Sequence, residues 1–197
     1  MGSPRSTLHP GACAAFLLIA FSTAGFLQTA WFASRWSRAF AIPVDGGLTW
    51  RGTRLLGDNK TMRGFVVMVP AVAGVFALLS ASVPGAPGDA GLWALTPASY
   101  AALGAWAGFG FMAGELPNSF VKRRLGIEPG AGSRGAHASP WQLSADRLDS
   151  GIGMLLALSL VAPTPWQTWA LVLAIGPFIH WAFSVLLFRL GIKPRPA

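Results

Sequence analysis

The sequence predicts an all-α integral membrane protein: five transmembrane helices, with cytoplasmic polar loops forming the functional site. Three observations predict it. Of 197 residues, 53% are hydrophobic and 11% charged, with a mean hydropathy of +0.51, whereas a soluble domain carries roughly 25% charged residues. The apolar residues gather into five runs, at about 12–32, 65–83, 92–112, 148–161 and 166–188. The cations fall on alternate connections between those runs, as the positive-inside rule requires.

Ala12 to Phe32 carries no charge and is long enough for a span of about 20 residues. It exceeds the roughly 7–15 residues of a signal-peptide core, and its stronger positive flank follows it, at Arg35 and Arg38. A membrane span is therefore expected over a cleaved leader. A polar segment at about 34–62 comes next, with a turn at Pro43-Val44-Asp45-Gly46-Gly47 and cations Arg51, Arg54 and Lys60. Phe65 to Val83 is the second span, closed by a turn without Lys or Arg. Leu92 to Met112 is the third. A second polar loop is expected at about 115–146, including a Gly/Ser/Ala-rich stretch from Gly130 to Pro140. Leu148 to Val161 and Trp166 to Phe188 are the last two spans, separated by Ala162-Pro163-Thr164-Pro165. Residues 1–197 form a single membrane domain.

With five spans, the two basic loops and the C-terminal tail share one side. Of the 15 Lys and Arg residues, only Arg5 lies elsewhere. The expectation is a multi-pass protein of the cell (inner) membrane, with its N-terminus outside and its C-terminus and functional site cytoplasmic. In a soluble protein a net charge of +8 would suggest nucleic acid. Here the cations read as topology signals and phosphate ligands, and no nucleic acid partner is expected. Cys13 is the single cysteine, which excludes an intrachain disulfide and a cysteine-rich metal site.

Chemistry-bearing residues gather in three stretches. The first is Leu56-Gly57-Asp58-Asn59-Lys60-Thr61-Met62-Arg63-Gly64. The second runs from Gly114 to Gly130 and holds Glu115, Ser119, Lys122, Arg123 and Arg124 where the chain leaves an apolar environment. The third holds Asp146 and Asp149. Three residues apart at a helix start, these two carboxylates share a face. They could hold Mg²⁺ beside a substrate phosphate, or complement the helix dipole as an N-terminal acid pair. Asp149 heads a nearly uncharged apolar run, where an unpaired carboxylate is costly, and this favours metal. Glu115 carries the same argument, against an ion pair with Lys122 or an arginine. Lys60 and Arg63 share a helix face by spacing. His9, His137 and His180 are isolated, and no nucleophile–His–acid arrangement appears.

Taken together, the three stretches resemble the CDP-archaeol synthase family of CDP-diacylglycerol synthase-like membrane cytidylyltransferases. The residues that carry the resemblance are Pro43 to Gly47, Leu56 to Gly64, Gly114-Glu115, Ser119-Phe120, Lys122-Arg123-Arg124, Gly126, Pro129-Gly130, Asp146 and Asp149. Glu115 stands where the family pattern has Asp. The resemblance covers about residues 12–195. It implies five transmembrane helices, a cytoplasmic site, and transfer of CMP from CTP to a membrane lipid phosphate with release of pyrophosphate. It implies Mg²⁺ as cofactor, on Asp146 and Asp149 with Glu115 as a third ligand or water orienter. Lys60, Arg63, Lys122, Arg123 and Arg124 would hold the triphosphate and the lipid phosphate. Asp58, Asn59, Thr61 and Ser119 would complete the substrate site, and Lys60, Arg63, Lys122, Asp146 and Asp149 would carry the catalysis.

Two other classes fit parts of the pattern. A non-catalytic scaffold could bind anionic lipids through the same cations. A small transporter would place charged or broken helices at mid-membrane, and apart from His180 the spans lack them.

Overall fold

The computed structural model describes residues 7–127 and 140–189, with the backbone alone at 140–147, 183, 184, 186 and 187. Among these residues the chain forms five α-helices: α1 (Pro10–Ala33), α2 (Met62–Ser82), α3 (Pro97–Arg124), α4 (Pro140–Val161) and α5 (Trp166–Arg189). A 3-10 turn (Trp36–Phe40) and a two-stranded antiparallel hairpin, β1 (Thr49–Trp50) and β2 (Thr53–Arg54), lie between α1 and α2. Among the described residues two helices, α1 and α2, are long and apolar enough to cross a membrane. In α4 the apolar part is the shorter Leu148–Val161.

The helix starts follow capping chemistry. In α1, His9 Nδ1 accepts from the Ala12 N–H at 3.3 Å and Pro10 takes the first turn, where its missing N–H costs nothing. In α3, Thr96 Oγ1 accepts from the Ser99 N–H at 3.2 Å, with Pro97 next. This cap corrects the expected third span. The helix starts at Pro97 rather than Leu92, while Leu92 and Trp93 are buried in the preceding loop.

The expected loop at about 115–146 needs a larger correction. Its first part is the continuation of α3 to Arg124, and its last part, from Pro140, is already α4. Charge marks a change in the surroundings of a helix, and the helix itself runs on. Pro117 lies inside α3 without ending it. The helix stops at Gly126, whose φ of 73° lets the Ile127 N–H turn back to Lys122 O at 3.0 Å.

Glycines bring the helices together. Gly104 and Gly108 face α2, where a Cβ would stand 2.7 Å from Val72 O and 3.0 Å from Met68 O. Gly110 and Gly114 face α4, where a Cβ on Gly114 would lie 2.8 Å from Gly153 Cα. Small residues four apart let backbones approach in membrane helices. Here they set α3 between α2 and α4. Phe16, Phe76, Tyr100 and Trp93 fill the core at the opposite end of the bundle from the α1–α2 loop; Phe16 meets Phe76 edge-on with centroids 5.0 Å apart.

The segment between Ile42 and Met62 is a closed loop. Val44 N–H donates to Lys60 O and Met62 N–H to Ile42 O, both at 2.9 Å. The hairpin turns through Arg51 and Gly52, at φ 52° and 76°, the positive values that two-residue hairpins require. Asp45 is buried inside and accepts from Arg54 Nη2 at 2.6 Å, Leu56 N at 3.0 Å and Gly47 N at 3.1 Å. Burial by itself raises the Asp45 pKa, but Arg54 and the two backbone N–H groups outweigh it and hold the carboxyl down at about 2.

Candidate active site

The close α3–α4 contact at Gly114 puts the next residue, Glu115, beside the start of the apolar part of α4. Ser150 Oγ lies 2.8 Å from Glu115 Oε1 and 3.3 Å from Asp149 Oδ1, so one hydroxyl bridges the two carboxylates. Asp149 also accepts from Asn118 Nδ2 at 2.9 Å and from Ser150 N at 2.7 Å. Lys60, delivered by the closed loop, forms an ion pair with Glu115 Oε2. One cation and two carboxylates thus converge from three segments, where the bundle meets its polar loop.

Two cavities open onto this cluster. One, of about 220 Å³, is polar on one wall and is lined by Asn59, Lys60, Thr61, Gly64 and Glu115. The other, of about 350 Å³, is a largely apolar trench between α1, α4 and α5, lined among others by Leu17, Phe21, Met154, Val172 and Leu173, with Glu115 and Ser150 at its polar end. Gln28, Phe32 and Glu115 line both.

Of the residues expected at the site, the structure brings together Lys60, Glu115 and Asp149, with Asn59 and Thr61 on the adjoining wall. Asp146 lies one turn before Asp149 on α4, its side chain outside the described residues. Lys122 sits in the last turn of α3. The buried Ser119 hydroxyl donates to Glu115 O at 2.9 Å, a bond within its own helix.

Four expected substrate contacts have other partners. Arg63 donates to Phe32 O at 3.1 Å and Ser37 Oγ at 2.7 Å and stacks on the Phe32 ring, tying α2 to the end of α1. Arg123 is buried and donates to Ile127 O. Arg124 donates to Trp50 O at 2.8 Å, Thr53 O at 3.2 Å and Arg54 O at 2.7 Å, which pins the hairpin to α3. Asp58, 74% exposed at its side chain, pairs with Arg54. Here the guanidinium groups of Arg63, Arg123 and Arg124 hold carbonyls and a hydroxyl of the chain itself, which ties helix ends and hairpin together. The ion pair weighed for Glu115 forms with Lys60 rather than with Lys122 or an arginine.

Sequence reasoning missed Asn118, Ser150 and Gln28. Asn118 is three residues after Glu115, on the same helix face, and Ser150 is adjacent to Asp149. Gln28 is an amide inside an apolar run, and a polar group in such a place usually has a job.

Glu115 and Asp149 offer hard carboxylate oxygens around a single hydroxyl, beside a cavity with room for phosphate. That donor set fits Mg²⁺, which is commonly held by one or two carboxylates and completed by substrate oxygens and water. Among the described residues no group of three or more His, Cys, Asp or Glu side chains gathers as a metal site, and the Asp146 carboxylate lies outside them.

Residues 16–196 match the family described as CarS-like: CDP-archaeol synthase. The chain is 36% identical over 162 residues to the CDP-archaeol synthase of Halorubrum lacusprofundi, covering 78% of this chain and 83% of that one. It is 40% identical over 157 residues to the CDP-archaeol synthase of Methanopyrus kandleri, covering 78% and 79%. Its fold is similar to a solved structure described as an intramembrane enzyme for archaeal membrane lipids biosynthesis, with a TM-score of 0.59, 25% identity, and coverage of 85% of this chain and 92% of that one.

Proposed function

This chain belongs to the CDP-archaeol synthase family, and from that premise we propose that it transfers CMP from CTP to a membrane lipid phosphate. The acceptor is a phosphatidate-like or archaeal-type ether lipid phosphate. The observation that carries the reading is the meeting of a polar and an apolar cavity at Glu115. A water-soluble triphosphate and a two-tailed lipid need compartments of opposite character that share one reacting point.

An oxygen of the lipid phosphate attacks the α-phosphorus of CTP. A new P–O bond forms there, the bond to the bridging oxygen of the β-phosphate breaks, and pyrophosphate leaves with that electron pair. Such a reaction needs positioning and charge neutralisation more than covalent help from the protein. Lys60 is placed to hold phosphate oxygens in the polar cavity, with Asn59 and Thr61 as hydrogen-bonding neighbours. Lys122 supplies further charge at the end of α3. Ser150 and Asn118 orient the Glu115 and Asp149 carboxylates. Mg²⁺ would be held by Glu115 and Asp149, with Asp146 one turn away, and when bound it supplies the positive charge that offsets the triphosphate. The lipid tails occupy the trench, reached sideways from the bilayer.

In this reading all five helices cross the membrane as one domain, with the N-terminus outside and the cluster cytoplasmic. The basic residues around the loop end of the bundle support it. Cysteines introduced at Gly88 and Thr164 in a Cys13→Ala background should label from outside intact cells. Outside labelling of a cysteine at Ser133 would reverse the orientation.

The function is tested by incubating the purified protein with CTP labelled in its α-phosphate, Mg²⁺ and a panel of ester and ether lipid phosphates. Label should appear in the lipid fraction with release of pyrophosphate. Lipid binding without transfer for every acceptor would replace the enzyme with a scaffold.

A further inference from the structure

Gln28 lies on α1 inside an apolar segment, and the two cavities share it. Leu18, Phe21, Gly25, Gln28 and Phe32 follow the three- and four-residue spacing of one helix face, and all five line the apolar trench. Along that face the polar cavity begins at Gln28, which also lines it, as does Phe32 one turn on. The hydrogen bond shown for its side chain runs from Nε2 to Met112 Sδ at 3.7 Å. A thioether is a weak acceptor, and a phosphate oxygen is a far stronger one. A primary amide in an apolar span costs free energy unless it finds a good partner. It also offers two donors without adding charge to the membrane segment.

We propose that Gln28 hydrogen-bonds the phosphate–glycerol head of the lipid acceptor where the trench meets the polar cavity, and so helps to set which acceptor is used. The assignment rests on reading the trench as the acceptor's compartment. Gln28 belongs to the acceptor rather than to the nucleotide because its own helix face upstream is trench wall. The polar cavity is already supplied with polar groups from another segment, Asn59, Lys60 and Thr61.

Two measurements test it. In Gln28→Leu, KM for a dialkylglycerol phosphate should rise roughly 10-fold, the loss of one hydrogen bond to a charged group. KM for CTP should stay within about 2-fold, since the acceptor-side bond is the one removed. Gln28→Glu, which sets a carboxylate against the acceptor phosphate, should raise KM for the lipid further. An equal rise for CTP and lipid, or no change for either, would overturn the proposal.

The second measurement needs no turnover. Gln28→Cys in a Cys13→Ala background is labelled with maleimide in detergent, with dialkylglycerol phosphate or with CTP present. Protection by the lipid phosphate and not by CTP is expected; protection by CTP alone, or by neither, overturns the assignment. If the unsubstituted chain transfers no CMP while the lipid phosphate still protects, the proposed reaction fails and the placement of Gln28 stands.

Discussion

Two charged clusters occupy the same end of the bundle, and they differ in what their hydrogen bonds reach. In the closed loop, Asp45 and Arg124 reach mainly backbone, at Leu56 N, Gly47 N and the carbonyls of Trp50, Thr53 and Arg54, while the Arg54 side chain joins Asp45 to Asp58. At the α3–α4 contact, Glu115, Asp149, Lys60, Asn118 and Ser150 bond chiefly to one another, and Glu115 and Lys60 also line the cavities. A charge held by backbone groups fixes the local path of the chain, because its partners move only when the backbone moves. A charge held by another side chain at a cavity can exchange that partner for a substrate. The first cluster therefore serves as frame, and the second is the one we propose to react.

The comparison breaks most sharply at Asp149. Asp149→Asn keeps the size of the side chain and removes the charge. Turnover should fall at least ~100-fold, the effect of losing one well-placed electrostatic contribution of a few kcal/mol. The fold should survive, because neutralising a carboxylate at the membrane boundary carries no desolvation penalty. The check is steady-state CMP transfer over a range of Mg²⁺ concentrations, alongside thermal unfolding in detergent. α4 starts at Pro140, so Asp146 and Asp149 are not the helix-start acid pair that their spacing also allowed. A folded Asp149→Asn protein with unchanged turnover would leave Asp149 a structural acid within α4.

Gly114→Val attacks the same cluster through its backbone support. The new Cβ would meet Gly153 Cα at 2.8 Å, so α3 and α4 must separate. Overpacking of this kind costs about 1–3 kcal/mol of stability. A shift of about 1 Å between Glu115 and Asp149 should lower turnover by about 100-fold. Thermal unfolding and turnover measured on the same preparation separate the two effects. A variant of native stability and native rate would show that the glycine contact does not position the pair.

Asp45→Asn tests the scaffold. Losing the charge-assisted bonds to Arg54 and the loop N–H groups loosens the segment that carries Lys60, and turnover should fall about 10-fold, one hydrogen bond to a charged group. Its pH signature is separate. An unfolded Asp titrates near ~3.9, and Asp45 in the fold is held down at about 2. Its contribution is therefore complete above pH about 4 and is lost as pH falls towards about 2. Unfolding temperature measured between those limits should slope downward with acid in the native chain, and less steeply in Asp45→Asn. Parallel slopes would mean that Asp45 is not the group being titrated.

These two clusters also show what could be read in advance. Five apolar runs, each the length of a helix, made the bundle legible, because helix length and hydropathy are local properties. Glu115 and Asp149 stood out because a carboxylate beside an apolar run needs a reason. Their convergence through Ser150 was not legible, since it depends on Gly114 meeting Gly153, a contact between helices that no spacing within one helix encodes. The carbonyls that Arg124 holds were not legible either, since they lie about 70 residues earlier, in a hairpin of two-residue strands that leaves almost no pattern. The loop expected at 115–146 failed at its two ends for a related reason, while residues 128–139 lie outside the described residues: polarity reports the solvent around a segment, and a helix can continue into water.

The smallest effect is expected at Asp58, where the motif and the geometry disagree most. Asp58 stands in the Leu56–Gly64 stretch that resembles the family pattern, which made it a candidate substrate ligand. The structure gives it an ion pair with Arg54 and leaves its side chain 74% exposed. It does not line the polar cavity, although the next residue, Asn59, does. An exposed ion pair contributes about 0–1 kcal/mol, and Arg54 keeps its buried partner Asp45 when Asp58 is changed. Asp58→Asn should therefore leave turnover within about 3-fold of the native rate, with unfolding temperature nearly unchanged. A loss as large as that of Asp149→Asn would show that Asp58 swings inward to touch substrate. The loop would then belong to the reacting half of the molecule rather than to its frame.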